Sequence, residues 1–253
     1  MPTEVGAVRS ARVGMVWTLG EWDAAFVYYG YQDVPGSSVP AELTRVGATF
    51  GEVRFSGTDG YKPWSKFFVR RPELPDPYNV TADVASLSAL VPEYRVARDH
   101  AFLFTDDARE DWEPCEKIEV IWGNVTYDYT LVYDREAGGY RRVLHHEDGT
   151  TEVFADHDTG EPILFQNVIV QSTLTTWNAG DGQRPVTHVV GSGNAEYFQC
   201  GRHMSGVWNR PDLADQTVYY TENGRELSLQ RGRTLIILTP TEEEPTPKEV
   251  IWD

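Results

Sequence analysis

The chain has 253 residues, 40% of them hydrophobic and 12% aromatic, which excludes a disordered chain and allows one large or two modest cores. Its 22 basic against 39 acidic residues give a net charge of −17, so general nucleic-acid binding is excluded and adhesion to anionic lipid is disfavoured. No run of 18 apolar residues exists, so no membrane-spanning helix is expected.

The opening residues MPTE have neither the basic nor the apolar stretch of a signal peptide. Ser10 is expected to cap a helix running to Leu19, with Gly20 as its stop. The run from Trp22 to Tyr29 reads as a buried strand, 40–46 as a short helix starting near Ser37 or Ser38, and 66–70 as another strand. Between Pro77 and Val91, the spacing of Val84, Leu87, Leu90 and Val91 predicts a helix capped by Asn79 or Thr81. Alternating helix and strand argues an α/β domain over residues 1–108.

The acidic stretch TDDAREDWEP, 105–114, reads as a linker. Beyond it come short runs rich in β-branched and aromatic residues, among them 118–122, 126–133, 140–144, 167–177, 195–200 and 234–238. Turn pairs such as Gly138-Gly139, Asp148-Gly149 and Asn223-Gly224 separate them. Residues 109–240 therefore read as a mostly antiparallel β-rich domain. The fold class is α+β, and the Pro- and Glu-rich end, 241–253, reads as a flexible acidic tail.

Few arrangements point to chemistry. His145, His146, Asp148, Asp156, His157 and Asp158 crowd together, but Asp-Gly pairs are also what tight turns require, so a solvated hairpin end outweighs a metal site. There is no G-x-S-x-G and no P-loop, and Gly191-Ser192-Gly193 reads as a flexible turn. Neither a metal nor another cofactor is expected. Cys115 and Cys200 read as two free thiols rather than a bridge. The most pointed feature is Arg9-Ser10-Ala11-Arg12. If Ser10 caps a helix, two guanidiniums stand at its positive end and suit a carboxylate or phosphate, unless each pairs with an internal acid.

The order of several short motifs resembles the bacterial YerB-like lipoprotein family, whose function is unknown. The run Gly6-Ala7-Val8-Arg9-Ser10-Ala11-Arg12 resembles its G-P-V-R-S-A-R, with Ala for Pro, and Pro77-Tyr78-Asn79 resembles its P-H-N, with Tyr for His. Further matches are Tyr140-Arg141-Arg142, Asp156 to Gly160, Asn167 to Gln171, Gly191 to Gly193, Gly206 to Arg210 with Trp208, and Gly232 to Thr234. The resemblance implies two domains and an extracytoplasmic location through a lipid anchor absent from this chain. It also implies first-domain sequence upstream of Val5 that other members carry. It supplies no activity, catalytic residue or cofactor.

The ligand-binding candidates are therefore Arg9, Ser10 and Arg12, with Tyr78 and Asn79 close by. The second-domain motifs add Asn167, Gln171, Trp208 and Arg210. The leading expectation is a cell-envelope binding protein that recognises an anionic or carbohydrate-like small ligand, or an envelope protein partner. The rival is a hydrolase of cell-wall material using Arg9, Arg12 and an unidentified carboxylate. An inert spacer domain would have no large pocket.

Overall fold

The computed structural model describes residues 3–22, 24–50, 54–92, 102–177, 185–241 and 249–253. The chain divides into two units. The first comprises Met1–His100, Thr176–Val190 and Asp212–Gln216; the second comprises Ala101–Thr175, Gly191–Pro211 and Thr217–Asp253. The fold is α+β, and the second unit is β-rich.

In the first unit, α1 (Val13–Trp22) and α2 (Val39–Phe50) share one core. Val13 and Val16 of α1 meet Val39, Leu43 and Val46 of α2, each set at the three- and four-residue spacing of one helix face. α2 starts where Ser38 predicts: its Oγ accepts from the Ala41 amide at 3.3 Å, and Pro40 sits in the first turn, where a missing N–H costs nothing.

α1 does not start at Ser10. Residues 9–11 are drawn out alongside 29–32: Tyr29 N donates to the Arg9 carbonyl, Ala11 N to Gly30 and Gln32 N to Ala11. Backbone pairing outcompetes the cap, the Ser10 hydroxyl donates to the Tyr29 carbonyl at 3.3 Å, and the helix begins at Val13. Trp22, expected in a strand, closes α1, and the strand is Phe26–Tyr28, parallel to Arg54–Ser56.

The expected helix over 77–91 forms only in part, and a strand precedes it. Val80–Asp83 lies between Glu4–Gly6 and Phe68–Arg70, with Val80, Thr81 and Ala82 all buried. Its backbone groups find partners on both sides, which a helix there would forfeit. Only the five-residue α3 (Val84–Ser88) is helical, and its cap is Asp83, whose Oδ1 accepts from Ser86 N at 2.9 Å.

The second unit holds two six-stranded sheets. One runs, in spatial order, through 151–153, 139–145, 129–134, 117–121 and 249–252, with 164–165 paired to 139–145. The other runs through 218–221, 202–210, 191–199, 167–173 and 234–240, with 113–114 paired to 202–210. Its one parallel pair is 167–173 with 234–240. Ile118, Val120 and Leu131 from the first sheet pack with Val168, Val170, Phe198 and Ile237 from the second. Ile169, Tyr197 and Trp208 point the other way, into a second cluster with Trp112, Leu227 and Leu229.

Four sequence readings change in and around this unit. Residues 105–114 are not a linker. Arg109 Nε donates to Gln199 Oε1 at 2.7 Å, its Nη2 donates to the Ser228 carbonyl, and Trp112 is buried. Residues 167–177 form two strands, 167–173 and 175–177, rather than one. Gly191-Ser192-Gly193 is the start of a strand, and Gly193 is required there. A Cβ would lie 2.6 Å from the Ser172 carbonyl and 2.7 Å from Trp208 Nε1. Finally, residues 249–252 of the expected tail pair with 117–121, and Val250 packs against the core of the second unit. Trp252 packs at 5.6 Å from Phe198 and 5.0 Å from His203, ring centre to ring centre. The part of the tail over 242–248 lies outside the described residues.

Candidate functional site

The first unit contains a cavity of about 490 Å3, within the roughly 300–1,000 Å3 typical of small-ligand sites. Its wall comes from α1, from the first turn of α2 and from the hairpin of 175–177 with 185–187. Trp17 lies one turn beyond Val13 on α1, so core packing of Val13 and Val16 fixes its backbone. Its indole Nε1 donates to Glu42 Oε2 at 2.9 Å. Arg45, one turn further along α2, donates to the same oxygen from Nε at 3.0 Å and Nη2 at 2.7 Å. Burial pushes the Glu42 carboxyl up, but the bonds from Arg45 and Trp17 together outweigh it and hold the carboxyl below the usual carboxylate range.

Across the cavity, His188 lies 5.2 Å from the Trp17 ring at an inclination of 38°, and its Nε2 is 2.9 Å from Thr176 Oγ1. Trp177, beside Thr176, is 39% exposed, which leaves ring surface open to a ligand. Val13 and Val186 supply apolar wall. Ser37, at the start of α2, also lines the cavity. Its Oγ is buried and has no hydrogen-bond partner among the described residues. A second cavity of about 240 Å3 shares Trp17 and His188 and is lined by Arg45, Val190, Asp212 and Leu213. The arrangement offers ring faces for flat C–H surface, hydroxyls that donate or accept, and one carboxylate acceptor. Arg45, which lines the second cavity, is already committed to Glu42.

None of the ligand-binding candidates read from the sequence lines either cavity. Arg9 and Tyr78 do meet, the guanidinium carbon standing 4.5 Å from the ring centre. Asn79 is buried and accepts from Arg70 Nη1 at 2.8 Å. Arg12 turns back on the backbone, donating to the Ala11 carbonyl at 3.0 Å and the Ser10 carbonyl at 3.3 Å. With Ser10 uncapping and Arg12 folded back, the expected cluster of amides and two guanidinium forks at a helix start does not form.

The second-unit candidates are structural in their contacts. Asn167 is fully buried: its Oδ1 accepts from Gln199 Nε2 at 2.9 Å and Gln230 N at 2.7 Å, and its Nδ2 donates to the Gln230 carbonyl at 2.9 Å. Gln171 Oε1 accepts from the Tyr219 hydroxyl at 2.8 Å, and Trp208 Nε1 donates to the Ser172 carbonyl at 2.8 Å. Arg210 is fully buried.

The histidine-rich stretch disperses. His145 Nε2 is 2.9 Å from Thr130 Oγ1, His146 is 3.5 Å from Glu152, and Asp148 and Asp156 close their own turns. Among the described residues, no group of three or more His, Cys, Asp or Glu could hold a metal ion, and no helix is long and apolar enough to cross a membrane.

Sequence reasoning passed over Trp17, Ser37, Glu42, Trp177 and His188. The helix-start signal S-S-V-P-A-E was visible and placed Ser37 and Glu42 together. Nothing local tied 176–190 to a helix at 13–22, since that contact spans more than 150 residues.

Comparison with known proteins agrees with the architecture. Residues 118–236 match the family described as "Protein of unknown function (DUF3048) C-terminal domain". The chain is 26% identical over 243 residues to "Putative lipoprotein YerB" of Bacillus subtilis, covering 95% of this chain and 68% of that one. The crystal structure of the YerB protein from Bacillus subtilis superposes with a TM-score of 0.76 at 20% identity, covering 100% of this chain and 78% of the other; at that identity the likeness shows the fold.

Proposed function

We propose that this YerB-like chain is a binding protein for a carbohydrate-like small ligand, taken up in the cavity of the first unit. The observation that carries the reading is the pairing of ring surface with hydroxyls and a carboxylate around about 490 Å3. Trp17, His188 and Trp177 provide the rings; Ser37, Thr176 and Glu42 provide the polar groups. A pyranose presents C–H faces that pack on such rings and a rim of hydroxyls that need acceptors and donors. An anionic ligand fits less well, because Glu42 stays ionised and Arg45 is already bonded to it. The name of the Bacillus subtilis relative, "Putative lipoprotein YerB", supports an extracytoplasmic location for the activity.

The test is a titration of intrinsic tryptophan fluorescence with neutral oligosaccharides, for the wild type and Trp177→Ala. Saturable quenching that Trp177→Ala weakens at least tenfold supports the reading. Identical binding by both proteins, or none by the folded wild type, overturns it.

A further inference from the structure

Ser37 separates this cavity from a plain aromatic groove. It is 3% exposed, and its Oγ is buried without a hydrogen-bond partner among the described residues. A buried hydroxyl left without a partner is costly, so a ligand that satisfies it gains more than a surface hydroxyl would provide. Ser37 lines the cavity, and its χ1 has three staggered positions open to Oγ. Val13, Ala41 and Val186, which carry no side-chain polar group, line the same cavity. A group that suits both features has a hydrogen-bonding atom one or two bonds from a methyl. A bare sugar hydroxyl lacks the methyl, and an ammonium would be desolvated against two valines.

Resting on the saccharide reading above, we propose that the cavity selects an N-acylated saccharide. The acyl carbonyl accepts from Ser37 Oγ, the acyl methyl packs on Val13 and Val186, and the ring stacks on Trp177. Glu42, held ionised by Arg45 and Trp17, accepts from both through Oε2, and its Oε1 is placed to accept from a ring hydroxyl or the amide N–H. Nothing is transferred or cleaved, so the proposal is one of recognition.

The experiment is calorimetric titration of the whole chain with three β-1,4-linked trisaccharides of one backbone: the N-acetylglucosamine, glucose and glucosamine trimers. The expected result is binding of the acetylated trimer at least tenfold tighter than the glucose trimer, with the glucosamine trimer weakest. Ser37→Ala should lower the preference for the acetylated over the glucose trimer about tenfold. Val186→Phe, which fills the methyl site, should do the same and keeps the test open if Ser37→Ala does not fold. Equal affinity for acetylated and glucose trimers overturns acyl selection while leaving the saccharide reading intact. Tightest binding of the glucosamine trimer overturns it in favour of cation recognition by Glu42. Binding of none of the three overturns both readings.

Discussion

The indole Nε1 of Trp17 donates to Oε2 of Glu42 at 2.9 Å, joining α1 to the first turn of α2 at the wall of the cavity. The bond needs the carboxylate. Because the folded pKa of Glu42 lies below its ordinary value of 4.5, its contribution to stability is complete above that value and is lost as pH falls through the lower folded value. Glu42→Gln removes this one contribution. Thermal melts from pH 7 to pH 3 should show the wild type and Glu42→Gln converging as pH falls, with the wild type higher at pH 7. A constant difference at every pH would mean that ionised Glu42 contributes nothing to the fold.

Two tryptophans separate binding from folding. Trp177 is 39% exposed and Trp208 is 2% exposed. Trp177→Ala should change stability by no more than about 0.5 kcal/mol, the range of ordinary surface substitutions, while weakening saccharide binding. Trp208→Ala should cost about 3–5 kcal/mol by opening a core cavity. Urea unfolding of both variants checks this. A large loss from Trp177→Ala would move that ring from the site to the core.

Asn167 is the keystone of a buried polar set. Replacing it with alanine leaves Gln199 Nε2 without its Asn167 bond and Gln230 N without an acceptor, at about 1–3 kcal/mol for each group left unpaired. Asn167→Ala should therefore destabilise the chain by at least about 2 kcal/mol in denaturant unfolding, with cavity binding unchanged at temperatures where it is folded. Loss of binding by the folded variant would return Asn167 to the ligand site.

Much of the second unit was legible because its signals are local. Runs such as NVIVQST alternate with turns, and Gly123, Gly138, Gly149, Gly160 and Gly224 all take the positive φ that their turn pairs announce. The start of α2 was legible through Ser38 and Pro40 for the same reason. Ser10 misled because its local preference for a cap lost to backbone pairing with 29–32, which no neighbouring residue reveals. The site itself was the least legible part. Trp17 and His188 meet because Val186 and Leu213, distant in sequence, pack against the α1–α2 core, so the wall is made by chain topology. Trp208 and Arg210 drew notice as motif residues, and both prove to be buried.

The two thiols should differ in reactivity. Burial pushes the Cys115 thiol up to about 11. Burial also raises Cys200, against the pull of Arg109 and Arg202, but Cys200 is only partly buried. Since the thiolate is the nucleophile, iodoacetamide at pH 8 should label Cys200 first and Cys115 only in denaturant. Mass spectrometry of labelled peptides decides this; faster labelling of Cys115 in the folded chain would contradict its burial.

The most direct measurement follows the indole N–H resonances of the eight tryptophans, assigned by single Trp→Phe substitutions, during titration with the N-acetylglucosamine trimer. The account predicts saturable shifts of the Trp17 and Trp177 signals, with the enclosed Trp208 signal unmoved. Shifts confined to other tryptophans, or no shift at saturating saccharide, would contradict it.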